Sequence, residues 1–160
     1  MTIKVGERIP SVTLKHMSKE GPANIQTEDL FKGKTVVLFS VPGAFTPTCH
    51  VKHLPGFVSQ AAAFKAKGVD TIACLAVNDV FVMSAWGKSC GVEEEILMLA
   101  DGNAEFSKAL GLELDASGFG MGTRGQRFAL VATDGVVTQL LVESGGEFKV
   151  SAAEYVLAQI

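Results

Sequence analysis

A chain of 160 residues, 48% of them apolar, is long enough to bury a substantial core and fits one domain spanning residues 1–160. Its net charge of −3 gives no electrostatic reason to expect nucleic acid or a membrane surface as partner, and no apolar run approaches membrane-spanning length. Met1–Gly6 carries no apolar leader and the three cysteines are an odd count, which argues against a framework of structural disulfides. The expectation is a soluble protein of a reducing, cytoplasmic compartment.

Val5 to Lys15 alternates loosely and Lys19-Glu20-Gly21-Pro22 reads as a turn, so residues 3–26 predict short strands or a hairpin. Thr27–Phe31 predicts a single helical turn. Thr35–Ser40 is continuously apolar and rich in β-branched residues, as in a strand covered on both faces. From Thr48 to Lys67 the pattern is helical, with Leu54, Phe57, Val58, Ala61 and Phe64 on one side, and Pro55 predicts a kink or break. Thr71–Val77 supplies a second buried strand, completing a right-handed βαβ unit. Asn78-Asp79 caps a helix running to Cys90, Ile96–Ala100 is a short strand, and Ala104–Leu110 a short helix. The glycine-rich stretch 111–126 predicts a mobile loop. Phe128–Ala132 and Val136–Val142 flank Thr133-Asp134-Gly135, a hairpin signal. Ser151 and Glu154 have the spacing of a capping box for a last helix.

This order predicts an α/β protein with a thioredoxin-like fold, a mixed central sheet flanked by helices and carrying inserted elements. Its chemistry is expected at the corner Val41-Pro42-Gly43-Ala44-Phe45-Thr46-Pro47-Thr48-Cys49, at the carboxyl end of a central strand. Thr46 suits a helix N-cap and Pro47 the first helical position, which puts Cys49 in the first turn. Unpaired N–H groups and the positive end of the helix dipole there favour a thiolate, read here as accessible and nucleophilic. Thr46 stands where a redox Cys-x-x-Cys would have its first thiol, so dithiol exchange within the motif is impossible. What remains is one activated sulfur beside a hydroxyl, suited to reaction with peroxides. The plainer alternative is that Thr46 only caps a helix and Cys49 is a buried small hydrophobe.

Pro42-Gly43-Ala44-Phe45-Thr46-Pro47-Thr48-Cys49 resembles the peroxiredoxin motif P-x-x-x-T-x-x-C, in the wording of the type II, or peroxiredoxin-5-like, subfamily. His53-Leu54-Pro55-Gly56-Phe57, Val77-Asn78-Asp79, Ala85-Trp86-Gly87 and Val142-Glu143-Ser144-Gly145-Gly146 resemble it too, so the likeness spans nearly the whole chain. It implies a thiol peroxidase that reduces hydrogen peroxide and alkyl hydroperoxides without a cofactor. Cys49 would attack the peroxide and Thr46 would orient it. Pro42 would shield the site, and Arg127 would stabilise charge on sulfur and leaving oxygen. Read without the resemblance, Arg127 is a solvated charge at a strand start. Arg124 is a supporting candidate. All five prolines lie at or before Pro55, so the cis-proline of thioredoxins has no counterpart.

Turnover needs a second thiol. Cys74 sits mid-strand and reads as buried, and Cys90, near a helix end, reads as exposed. The C-terminal resolving cysteine of animal peroxiredoxin-5 has no match, because that region reads Phe148-Lys149-Val150-Ser151-Ala152. The expected cycle therefore uses one cysteine, with glutathione or glutaredoxin as reductant and thioredoxin as the competitor. A zinc site built on Cys49, His50 and His53 lacks a fourth ligand, His16 being remote in sequence. A Cys49/His53 hydrolase lacks an orienting acid, and a redox-sensing or chaperone-like binding module is the non-enzymatic alternative. Phe45, Phe81, Trp86 and Phe128 are candidates either for a homodimer contact, as in type II peroxiredoxins, or for the core.

Overall fold

A computed structural model describes residues 1–160. The N-terminal third forms a hairpin of β1 (Thr13–Ser18) and β2 (Gly21–Gln26), paired from Thr13↔Gln26 to Ser18↔Gly21. The single helical turn α1 (Thr27–Phe31) leads into β3 (Thr35–Ser40). After the corner come a π-helical turn, Cys49–His53, and the helix α2 (Leu54–Ala66), then β4 (Thr71–Ala76). Next follow α3 (Val80–Ser89), β5 (Leu97–Ala100) and α4 (Glu105–Ala109). A small hairpin of β6 (Glu113–Asp115) and β7 (Thr123–Gly125) precedes β8 (Phe128–Thr133), β9 (Val136–Val142) and α5 (Ala153–Ala158).

Seven strands make one mixed sheet in the order β2-β1-β5-β4-β3-β8-β9. β3, β4 and β5 are parallel neighbours, whereas β8 runs antiparallel to β3. The central strands are apolar throughout because both faces are covered. Val37, Phe39 and Val41 of the β3 segment face one core, with Cys74, Phe57, Phe64, Trp86 and Val156. Val36 and Leu38 face the other, with Leu75, Phe31, Phe106 and Leu130. Cys49 and Cys74 lie in the same layer.

Three local expectations are corrected. Of the kink or break expected at Pro55 the break is absent: the residue has no N–H to give, and the helix continues through an irregularity just upstream, a π turn in which Leu54 N–H bonds back to the Cys49 carbonyl. Residues 111–126 are not simply a loop, since β6 and β7 pair from Glu113↔Gly125 to Asp115↔Thr123 around a 3-10 turn at Ser117–Phe119. Ser151 does not cap α5, whose N-cap is Ala152; its side chain is taken by Glu143 instead. Asp134 and Gly135, at φ +50° and +79°, make the tight β8–β9 turn as their sequence predicts.

Phe57 ties α2 to the sheet. Its ring lies flat on Phe39 with centroids 4.0 Å apart and stacks on Phe64 at 5.5 Å, and all three are fully buried. Phe57→Ala is expected to lower the urea-unfolding free energy by ~3–5 kcal/mol. A loss under ~1 kcal/mol would show that this stack does not hold the helix.

Candidate active site

The β3–α2 corner is strained and clamped. Phe45 has a left-handed backbone, φ +64°, which costs a non-glycine residue roughly 1 kcal/mol or more. Asn78, at the end of the neighbouring β4, holds the corner by accepting the Ala44 N–H at 2.9 Å. The capping pair expected of Asn78-Asp79 is thereby divided: Asp79 alone caps α3, accepting from Val82 N–H at 2.9 Å. Gly43 is tightly enclosed, since a Cβ there would lie 3.0 Å from Arg124 Nη1 and 3.1 Å from Thr46 Cγ2. Arg124 donates to the carbonyls of Met121 at 3.0 Å and of half-buried Pro42 at 3.4 Å, supporting the corner without bonding to the sulfur.

Thr46 accepts the first helical bond through its carbonyl, from His50 N–H at 2.8 Å. Its hydroxyl does not cap a backbone N–H. It lies 2.6 Å from the Gly43 carbonyl and 2.8 Å from Cys49 Sγ. One hydroxyl proton cannot serve both acceptors. Given to the carbonyl, it leaves the oxygen free to accept from S–H or from an incoming O–H; given to the sulfur, it solvates an anion.

Arg127 arrives from 78 residues away, and its guanidinium Nη2 donates to Cys49 Sγ at 2.9 Å. The sheet register explains this reach. Ser40 pairs with Phe128, so Arg127 emerges beside the corner that begins at Val41, and the buried Ser40 hydroxyl fixes the preceding residue through the Gln126 carbonyl at 2.9 Å. The second arm, Nη1, donates to His53 Nδ1 at 2.7 Å, while His53 Nε2 donates to the Ser151 carbonyl at 2.9 Å. A guanidinium only donates and a carbonyl only accepts, so the imidazole must be neutral with its proton on Nε2. Burial, and then the positive charge of Arg127, bring its pKa down to about 3. His53 is thus no base toward Cys49 as a hydrolase would need, and both its nitrogens are occupied.

Aromatic groups wall the site. His53 lies between Phe39 (4.9 Å) and the edge of Phe148 (5.0 Å), and Phe148 also lies 5.9 Å from the Arg127 guanidinium carbon. On the other side Trp86 Nε1 donates to His50 Nδ1 at 3.1 Å, and Cys90 Sγ lies 3.6 Å from the same nitrogen. Cys74 is fully buried, and burial pushes its thiol pKa up. All three thiols are free. Cys49, read from sequence as accessible, is also fully buried, because the π turn faces it into the core beneath Arg127. Trp86 and Phe128 are buried too and offer no surface to a partner, whereas Phe45 and Phe81 are exposed. Sequence reasoning missed the His53–Arg127 bond, the Asn78 clamp, Phe148 and the Glu143–Ser151 pair; only the subsidiary motifs containing His53, Asn78 and Glu143 hinted at them.

A lone sulfur bracketed by a hydroxyl and a guanidinium is suited to polarising a small oxidant, and the sheet that carries it is that of the thioredoxin-like thiol enzymes. The family model described as Redoxin matches residues 4–157. Chloroplastic peroxiredoxin-2E of Arabidopsis thaliana is 48% identical over 160 residues, covering 98% of this chain and 68% of that protein. Peroxiredoxin-2B of the same plant is 47% identical over 156 residues, covering 97% and 96%. The crystal structure of reduced Prx3 from Vibrio vulnificus in complex with hydrogen peroxide superposes with a TM-score of 0.95 at 54% identity, covering 99% of each chain. The chain belongs to the redoxin family, among the peroxiredoxins, and is a thiol peroxidase.

The neutral His53 carries a pH signature. The ordinary imidazole pKa is 6.5 and the folded one is about 3. Below the upper value the unfolded chain binds a proton that the native ring refuses, so stability falls as pH falls, by up to ~1.4 kcal/mol per unit, until the native ring also protonates. Urea unfolding from pH 7 to pH 4 should show this slope reduced in His53→Leu relative to wild type. An identical slope in both would assign the acid sensitivity to other groups.

Proposed function

We propose that the chain reduces hydrogen peroxide and alkyl hydroperoxides at Cys49, and that glutathione or glutaredoxin recycles the oxidised sulfur. The convergence of Thr46 Oγ1, at 2.8 Å, and Arg127 Nη2, at 2.9 Å, on one sulfur carries this reading. The Cys49 thiol gives up its proton, the resulting anion attacks one peroxide oxygen, the O–O bond breaks, and the other oxygen takes up a proton from solvent and leaves as water or alcohol. Cys49 becomes a sulfenic acid. Arg127 offsets negative charge on the sulfur and then on the leaving oxygen. Thr46 accepts the peroxide O–H and aligns it, and Pro42 keeps bulk water from the corner.

The sulfenic acid then condenses with one thiol, releasing water and forming a mixed disulfide; a second thiol cleaves that disulfide and completes the two-electron reduction. An external first thiol is supported by the burial of Cys74 and by the contact of Cys90 with His50. Thioredoxin is the competing reductant. Exposed Phe45, Phe81 and Phe119, at 49%, 65% and 85% of full accessibility, support self-association as a homodimer, and three free thiols suit the cytoplasm.

Cys49→Ser should abolish peroxide consumption, Cys74→Ser should leave most of it, and Arg127→Ala should slow it by about a hundredfold. Thr46→Val should impair the rate far more than Thr46→Ser, which keeps the hydroxyl. Thr46→Val at full rate with reduced stability would limit that residue to a structural part. Stoichiometric rather than catalytic peroxide loss would favour a redox-sensing or chaperone-like module. For the reductant, mass spectrometry of peroxide-treated protein with glutathione should find a glutathione adduct on Cys49. An intramolecular disulfide to Cys74 or Cys90 would overturn the one-cysteine cycle.

A further inference from the structure

The bonds that hold Arg127 continue past His53. Ser151, whose carbonyl receives the His53 proton, presents both its N–H and its hydroxyl to a single oxygen of Glu143, at 2.8 and 2.6 Å. The same Oε2 accepts the Lys149 N–H at 2.7 Å. Partial burial works against the charge on Glu143, but the bonds from Ser151, Lys149 and Val150 outweigh it and hold the carboxyl below its ordinary pKa. Glu143 has no cationic side chain as partner; its nearest cation in sequence, Lys149, pairs with Glu147 at 3.0 Å. Its backbone N–H donates to the Arg127 carbonyl at 3.0 Å. The bonds therefore close a ring that runs from the Arg127 backbone through Glu143, Ser151 and His53 to the Arg127 side chain.

Each link in that ring fixes something that packing leaves open. Phe39 and Phe148 confine the His53 ring, but apolar walls do not distinguish it from the same ring turned by a half-rotation. That turn would put a carbon where Nδ1 now meets the guanidinium. The bonds to the guanidinium and to the Ser151 carbonyl both select the observed orientation, and of the two only the carbonyl holds the ring independently of the Arg127 side chain. The segment that carries this carbonyl is gathered on Glu143 through the N–H groups of Lys149 and Ser151 and the Ser151 hydroxyl, next to the exposed stretch Ser144–Glu147. With Nη1 held on Nδ1, the planar guanidinium has its other arm directed at the sulfur.

We infer that Glu143 is a positioning residue for peroxide reduction, setting the Arg127 guanidinium against the Cys49 sulfur through Ser151 and His53. Nothing in the chemistry requires Glu143 to touch peroxide. The inference rests on Cys49 being the attacking sulfur, so Cys49→Ser is measured alongside.

The test is a double-mutant cycle on the second-order rate constant for hydrogen peroxide, obtained by competition with horseradish peroxidase well below the melting temperature. Glu143→Ala should slow the reaction about tenfold or more, as expected for a misplaced catalytic group. Glu143→Gln keeps an oxygen for the same donors and should recover most of the rate. In a His53→Ala background, where the relay is already cut, Glu143→Ala should cost less than about twofold. A wild-type rate in Glu143→Ala, or the same penalty in both backgrounds, would overturn the inference. Should Glu143→Ala not fold, Ser151→Ala removes one donor to the same oxygen while keeping the carbonyl. Its smaller penalty, about threefold, should vanish in His53→Ala, and persistence there would be equally fatal. Peroxide consumption surviving in Cys49→Ser would instead unseat the assignment of the sulfur, a distinct failure.

Discussion

The guanidinium of Arg127 meets the Cys49 sulfur at 2.9 Å because an antiparallel strand has been set beside a parallel pair. β3 and β4 run together and place the corner at their carboxyl ends; β8 runs the other way, so its first residues arrive at that same end. A one-residue slip between β3 and β8 would turn every side chain of β8 to the opposite layer and carry Arg127 off the sulfur. Along β3 it is the layer that alternates, with Val37 and Phe39 in one core and Val36 and Leu38 in the other. The chemistry of the corner therefore depends on the packing of both layers, not only on the residues that touch the sulfur.

Around that contact the protein concentrates its local irregularities. Phe45 is held left-handed, a π turn follows, and a neutral imidazole lies buried against a cation. Each costs stability, and each is held in place by a specific bond: Asn78 to the corner, Leu54 N–H to Cys49, Ser151 to His53. Strain sustained in this way is common where a reactive group must be kept in one geometry.

The thioredoxin-like order was legible because its strands are uniformly apolar and its helices periodic, and because Asp134-Gly135 dictates a tight turn. The corner was legible as a motif. What escaped were features carried by few residues or by distance. β6 and β7 are three-residue strands, mostly polar and joined by a glycine-rich turn, with no periodicity to betray them. Ser151 and Glu154 matched a capping pattern that lost to a stronger local acceptor, Glu143, eight residues upstream. The burial of Cys49 was hidden because a sequence does not announce a π turn, and a first-turn position at a strand-to-helix corner suggests access to solvent. His53 could be seen to belong to the pattern, yet its partners lie 74 and 98 residues away.

The single tryptophan of the chain stands beside the turn that carries the reactive sulfur. The Trp86 indole N–H is bonded to His50, the residue next to Cys49 in the π turn. Cys49 has no exposed surface, and any displacement of the turn that carried its sulfur outward would act on the bond between the indole and His50. The molecule thus holds a built-in optical gauge: the ultraviolet emission of one indole reports on the state of this turn without a label.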